Sequence, residues 1–219
     1  MTNSKIQLFT FWRSQATYRV RIALQLKGID FEPHVINLLK GDQYSEKYQK
    51  LNPGAMVPTL IDGDKPPLVQ SLAILEYLEE TRPSPSILPS GAENRAHARA
   101  LGQVVAMDAH TLVIPRIRGY LEKELGLDEP TRIKWIRHWT ETASTALEGI
   151  LAGDPRTGDF CVGDTPTIAD ICLVPHFVST IMLFKNDLSQ WPTAQRIFDN
   201  CMKLDVFAEN HPLRQPDAA

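Results

Sequence analysis

The sequence holds only three cysteines in 219 residues, Cys161, Cys172 and Cys201. They are odd in number, widely spaced and contain no CxxC pair, so they suggest neither a disulfide framework nor a zinc or other metal site. A charge excess of one sign is also missing. The formal net charge of -3 gives no electrostatic case for nucleic acid or for an acidic membrane surface. No window approaches the length of an apolar membrane span, and Met1-Thr2-Asn3-Ser4-Lys5 leads into a strand pattern without an apolar signal run. Internal repeats and low-complexity runs are absent. These absences give the expectation of a cytoplasmic protein. The 43% hydrophobic content can bury a large core, in one large domain or two small ones.

The chemistry-bearing stretch lies near the start. Ile6 and Leu8 alternate with Lys5 and Gln7, the period-2 pattern of a half-buried strand. Val20, Ala23, Leu24 and Leu26 then fall at helical spacing and stop at Gly28. Ser14 is thus expected on a strand-to-helix turn. A helix N-terminus offers unpaired N–H groups and the positive end of the dipole, which favour an anion such as a thiolate. By spacing alone, Ser14 or Thr17 could equally be a plain N-cap.

Farther along, Phe31 to Leu38 reads as a second strand, parallel to the first because a helical crossover joins them. Lys40 to Leu51 is polar and reads as a loop with a short helix. Val57 to Ile61, the turn signal Asp62-Gly63 and Pro67 to Val69 read as two strands of a hairpin, followed by an amphipathic helix opened by Ser71. The proline- and serine-rich stretch from Thr81 to Gly91 has linker composition. Everything after it reads as helical. Ala92 to Leu125 gives one long pattern kinked by Pro115, and Thr131 to Leu151 gives another. Thr167 to Asp170 gives a capping box, with Pro166 and Ile171 as hydrophobic staple, opening an apolar helix from Ile168 to Leu183 that should form the buried centre of the second domain.

Three motifs at fixed spacing carry a resemblance. Arg13 to Leu24 resembles the zeta-class signature of glutathione transferases, a serine followed by small residues and then Arg-Val-Arg-Ile-Ala-Leu. Asn52-Pro53 with Val57-Pro58-Thr59-Leu60 is the second motif, and Gln70-Ser71-Leu72-Ala73-Ile74 the third. With Gly163 to Asp170 and Pro212 to Asp217, the likeness runs nearly end to end. It implies an α/β plus all-α architecture: a thioredoxin-like, glutathione-binding domain over residues 1–84, then an all-helical domain over 92–219 carrying the acceptor-substrate pocket. It also implies a homodimer and glutathione as cofactor.

The implied activity is cis–trans isomerisation of maleylacetoacetate or a similar small cis-enone acid. The alternative is conjugation of glutathione to small electrophiles or halogenated acids. Ser14 is the implied catalytic residue, hydrogen-bonding the thiolate. In the family a cis proline after Val57 lets that residue pair with the cysteinyl backbone, so Val57 and Pro58 join the glutathione site. Gln70 and Ser71 would hold the γ-glutamyl carboxylate at a helix N-terminus. Gln43 would meet the glycyl end, and Gln15 completes the set. Arg13 and Arg116 are the candidates for the acceptor's carboxylates, with His110 lining the same site.

The chain departs from the family at three places. Ser14-Gln15-Ala16 replaces a Ser-Ser-Cys-like run, Val113 and Ile114 replace paired asparagines, and Ile181-Met182-Leu183 stands where relatives place an arginine. The last change implies a more apolar acceptor pocket.

Overall fold

A computed structural model describes residues 5–184 and 187–218, without the side chains of Leu183 and Phe184. The chain divides into two compact units, residues 1–87 with 205–219, and residues 88–204.

The first unit is built on a four-stranded sheet of order β2-β1-β3-β4. Strand β1 (Ile6–Thr10) buries every second residue, as alternation requires. Helix α1 (Gln15–Leu26) carries the chain over to β2 (Phe31–Val35), which pairs parallel to β1. A 3-10 turn (Asp42–Tyr44) and the short helix α2 (Glu46–Gln49) occupy the polar segment. Strands β3 (Thr59–Asp62) and β4 (Leu68–Val69) then run antiparallel, and α3 (Ser71–Thr81) follows. Strand β3 starts later than the sequence pattern suggests, so Val57 and Pro58 lie in the run-up to it. Leu8, Leu60, Ile22, Leu24, Ile74 and Leu75 are completely enclosed. These apolar layers between sheet and helices supply most of the driving force.

An ion pair closes the end of this unit. Lys27 Nζ lies 2.8 Å from Glu79 Oε2 and also donates to the carbonyls of Arg82 and Pro85. Glu79 in turn accepts from Ser86 Oγ and the Ile87 N–H. All three ammonium protons have acceptors, which offsets the cost of burying the side chain.

The second unit is helical. Helix α4 (Ala92–Gln103) runs into a π-helical segment (Val104–Ala109), then α5 (His110–Val113) and α6 (Pro115–Lys123). The single kinked helix expected from the sequence is therefore interrupted twice. Ile114 is extended (ψ 158°), because the residue before proline avoids the helical region, and Pro115 restarts a helix at its first position, where no N–H is needed. Helix α7 (Glu129–Ala152) is capped by Asp128, which accepts from the Thr131 N–H. Helix α8 (Ile168–Phe184) is enclosed from Ile168 through Val178 and packs against α4, α7 and α9 (Pro192–Met202). Gly102 permits the close approach of α4 to α8: a Cβ there would stand 3.2 Å from Cys172 Sγ.

The capping box at the start of α8 is present. Asp170 accepts from the Thr167 N–H (2.7 Å) and Thr167 Oγ1, and its other oxygen takes the Cys161 N–H at 2.8 Å. All three cysteines are free and buried around this region. Burial and the neighbouring Asp170 carboxyl push the thiols of Cys161 and Cys201 well above their ordinary range.

The sequence reading carried the helical domain to residue 219, and the structure corrects that boundary. Residues 205–219, including α10 (Asp205–Ala208), belong with the first unit. The reason is a set of polar contacts with α1: Tyr18 Oη donates to the Phe207 carbonyl (2.7 Å), Arg21 Nη2 to the Asn210 carbonyl (3.2 Å), and Gln25 Nε2 to Glu209 Oε2 (3.0 Å).

Candidate functional site

Ser14 is the N-cap of α1. Its backbone is extended (φ -78°, ψ 117°), and its Oγ accepts from the Thr17 N–H at 3.2 Å. The turn is held from inside as well. The Ser14 N–H donates to the Phe11 carbonyl, and Thr17 Oγ1 donates to the carbonyls of Phe11 and Ser14. Capping uses a lone pair on Oγ and leaves the hydroxyl proton for an acceptor. The cap and the candidate donor are thus the same atom, and the two readings of Ser14 are compatible. Gln15 and Ala16 supply first-turn N–H groups that the helix itself does not satisfy.

Val57–Pro58 is a cis peptide, as the motif implied. The carbonyl just before it, that of Met56, accepts from Tyr48 Oη (2.6 Å) and Asn52 Nδ2 (2.8 Å), both of which also bond Thr59 Oγ1. Asn52 therefore braces the approach to Val57, which gives the Asn52-Pro53 motif a physical role. Tyr48 does the same work and no sequence signal marked it. Val57, Phe11 and Tyr48 form one buried apolar cluster, with Trp12, Leu38 and Leu51 packed against it. The cluster ties the Ser14 turn, the Gln43 loop and the Val57 segment together.

Gln43 is buried rather than solvated. Its Nε2 donates to the Leu38 carbonyl at 3.5 Å, and its Oε1 has no hydrogen-bond partner among the described residues. Gln15 Oε1 is likewise buried and unpartnered there. Two orphaned amide oxygens in the same unit are unusual, because buried acceptors are nearly always satisfied.

Gln70 is exposed and adopts φ 71° and ψ 115°, in the region that favours glycine. It makes no side-chain cap bond to α3, so its amide is left for another partner. Such an outlier costs about 1–3 kcal/mol and persists where a site demands it. Ser71 opens α3, and its Oγ accepts from Arg19 Nη1 at 3.3 Å. Arg19 was missed by the sequence reading, although the helical period could have found it. Arg19 and Arg21 are two residues apart, hence about 200° apart around α1. One reaches α3, while the other reaches Thr10, Thr17 and Asn210. Burial holds the Arg21 guanidinium down at about 10, partly offset by Tyr18 and Asp217.

Arg13 is exposed, with its guanidinium carbon 5.4 Å from the centre of the Trp12 ring. His110 and Arg116 belong to the helical unit. His110 is half-buried where the π-helical segment passes into α5, and Arg116 is exposed in the first turn of α6. Of the apolar residues in the place of a family arginine, Ile181 is 37% exposed and Met182 half-buried. The Leu183 side chain lies outside the described residues. Among the described residues no group of His, Cys, Asp or Glu could hold a metal ion, and no helix is long and apolar enough to cross a membrane.

The N-terminal domain of glutathione S-transferases matches residues 8–86. A maleylacetoacetate isomerase from Methylobacterium extorquens AM1, solved with malonate and glutathione bound, is similar with a TM-score of 0.94 and 45% identity, over 97% of this chain and 99% of that one. A bacterial maleylpyruvate isomerase of the zeta class superposes with a TM-score of 0.93 at 39% identity, over 97% and 100% of the two chains. The mouse maleylacetoacetate isomerase is 42% identical over 220 residues, spanning 99% of this chain and 97% of that relative. With the cis proline, the capped serine turn and the thioredoxin-like sheet in place, the chain belongs to the glutathione S-transferase family, among its zeta-class maleylacetoacetate and maleylpyruvate isomerases.

Proposed function

We propose that this chain is a glutathione-dependent cis–trans isomerase of maleylacetoacetate or a closely similar cis-enone acid, acting as a cytoplasmic homodimer. One observation carries the reading. The likeness to isomerases of this chemistry covers nearly the whole of each chain, so it embraces the helical unit as well as the glutathione-binding fold.

The residues fit glutathione. The orphaned Oε1 atoms of Gln15 and Gln43 are acceptors for its amide and ammonium protons, with Gln43 toward the glycyl end. Ser71 at the first position of α3, with Gln70 beside it, suits the γ-glutamyl carboxylate, because a helix N-terminus presents N–H donors and positive potential. Val57 offers its backbone to the cysteinyl unit. When bound, glutathione supplies a thiolate whose reversible addition to the conjugated cis double bond permits rotation and returns the trans acid with free thiol.

Ser14 holds that sulfur as an anion. Its O–H donates to it, while the first-turn N–H groups and dipole of α1 favour negative charge at the same place; protein thiols in such settings fall from about 8.5 to roughly 3.5–7.5. Arg13 of the first unit and Arg116 of the helical unit are our candidates for binding the acid's carboxylates, with His110 as a further candidate substrate residue. Conjugation is the second reading. Ile181 and Met182, in place of an arginine, favour it, because a carboxylate buried without its partner is costly.

Arg13→Ala and Arg116→Ala test the assignment. Each should raise KM for maleylacetoacetate while leaving glutathione affinity unaltered. Unchanged KM in both variants would remove the arginines from the site. Sedimentation at micromolar concentration checks the dimer, and a monomer would count against it.

A further inference from the structure

The segment Pro212 to Asp217 belongs to the sequence likeness, yet none of the roles above uses it. In the structure it ends beside the catalytic turn. The Asp217 Oδ2 carboxylate oxygen accepts the Trp12 N–H at 3.0 Å, across 205 positions of sequence. Trp12 is two residues before Ser14, and its ring carries the Arg13 guanidinium 5.4 Å from its centre. We infer that Asp217 is a positioning residue: by pinning the Trp12 backbone it sets the indole ring, and through it the direction of Arg13 toward the substrate's carboxylate.

Three features make the strap rigid enough for this. Tyr18, Arg21 and Gln25 lie at i, i+3 and i+7, on one face of α1, and each bonds the returning segment, at the Phe207 carbonyl, the Asn210 carbonyl and the Glu209 carboxylate. Gln215 Nε2 donates back to the carbonyls of Glu209 and His211, so the last turn is tied to the anchored part. Arg21, 2% exposed, sits between the two ends of the system. It bonds Thr10 and Thr17 on either side of the catalytic turn and Asn210 on the strap, and Asp217 is the acidic group acting on its charge. By contrast, the Arg13 side chain is exposed. Its guanidinium lies over the Trp12 ring, and the backbone N–H of Trp12, the residue just before Arg13, is held by Asp217. A long exposed side chain loses much rotamer freedom on binding a ligand. Fixing the ring beneath it lowers that loss, which should appear in substrate affinity and leave glutathione untouched.

The inference rests on the isomerase reading for its kinetic readout, so a second readout is free of it. Asp217→Ala should raise KM for maleylacetoacetate about tenfold, the size of one lost hydrogen bond to a charged acceptor. Changes in kcat and in glutathione affinity should stay within about twofold. Asp217→Asn, which keeps an acceptor oxygen, should restore most of the loss. Independently of any substrate, amide hydrogen exchange at Trp12, followed by NMR, should be about tenfold or more faster in Asp217→Ala than in wild type, and near wild type in Asp217→Asn. If Trp12 exchange is unchanged in Asp217→Ala, the inference is overturned whatever the reaction. It is also overturned if KM for the acid and glutathione affinity worsen by the same factor, for that is a general loosening of the fold. If wild type fails to isomerise the acid while Trp12 responds as expected, the isomerase reading fails and the pinning of the turn by Asp217 stands.

Discussion

Ser14→Ala separates the observed role of one oxygen, the helix cap, from its proposed role as donor to the bound sulfur. Removing Oγ deletes the cap on the Thr17 N–H, a bond of 3.2 Å, which costs about 1 kcal/mol of stability. The turn itself should survive, because the Ser14 N–H still reaches the Phe11 carbonyl and Thr17 Oγ1 still bonds the carbonyls of residues 11 and 14. The second loss, under the proposed role, is the donor to the bound sulfur. A hydrogen bond to an anion is worth about 1.5–3 kcal/mol, and about 1.4 kcal/mol corresponds to one pKa unit. The pKa of bound glutathione should therefore rise by about one to two. Turnover should fall by about 10²-fold, the usual effect of losing one such donor. The assay is titration of thiolate ultraviolet absorbance in the binary complex, alongside turnover. Ser14→Asp distinguishes the two effects. Aspartate caps a helix well and suits its N-terminus, so the fold should keep its stability. It offers no proton, however, and adds a like charge beside the sulfur, so activity should fall at least as far as in the alanine variant. An unchanged thiolate titration and turnover in Ser14→Ala would refute the role, and full activity in Ser14→Asp would show that capping alone matters.

Ser71→Ala should weaken glutathione binding, measured by titration calorimetry, while leaving the pKa of the bound thiol nearly unaltered, since Ser71 opens α3 and not α1; equal affinity would count against it. Asp170→Ala strands the N–H groups of Cys161 and Thr167, both now bonded at 2.8 Å or less. At about 1–3 kcal/mol for each buried unsatisfied group, chemical denaturation should show a loss of about 2–6 kcal/mol, and a change below about 1 kcal/mol would remove the capping box from the stability account. Acid should act through Asp62. Burial raises its carboxyl, but hydrogen bonds from Tyr77, Lys65 and Arg82 outweigh that and hold it at about 2. Because this lies below the unfolded value, the contribution is complete above about pH 4–5 and vanishes as pH falls through about 2. Asp62→Asn should flatten the acid limb of a Tm-against-pH curve, and an identical limb would exclude it.

Features carried by short local patterns were legible in the sequence. The Ser14 turn, the cis peptide at Pro58 and the helix opened by Ser71 each depend on a few consecutive residues, and all three stand where the motifs put them. The capping box at Thr167–Asp170 was legible for the same reason, but the second oxygen of Asp170 reaches Cys161, nine positions away, and nothing local announces that bond. Long-range closure was hidden. Residues 205–219 read as the end of a helical domain because their own pattern is helical and polar; distant partners, the face of α1 formed by Tyr18, Arg21 and Gln25 together with the Trp12 N–H, decide where they pack. The burial of Gln43 was hidden too, since a polar residue in a polar loop gives no sign that the Phe11, Tyr48 and Val57 cluster will fold around its loop. The interruption at Val104–Ala109 had no signal at all: the helical pattern continues through it, and a π-helical turn differs only in which carbonyl each N–H selects.

The most direct test is to incubate the wild-type protein with glutathione and maleylacetoacetate and to follow the cis-to-trans ratio and the free thiol in the same sample. The account predicts that the cis acid is converted catalytically while free thiol stays constant, because in the proposed mechanism the sulfur anion held at Ser14 is returned at every turnover. It is contradicted if the cis acid is left untouched while thiol is consumed with a neutral halide or isothiocyanate.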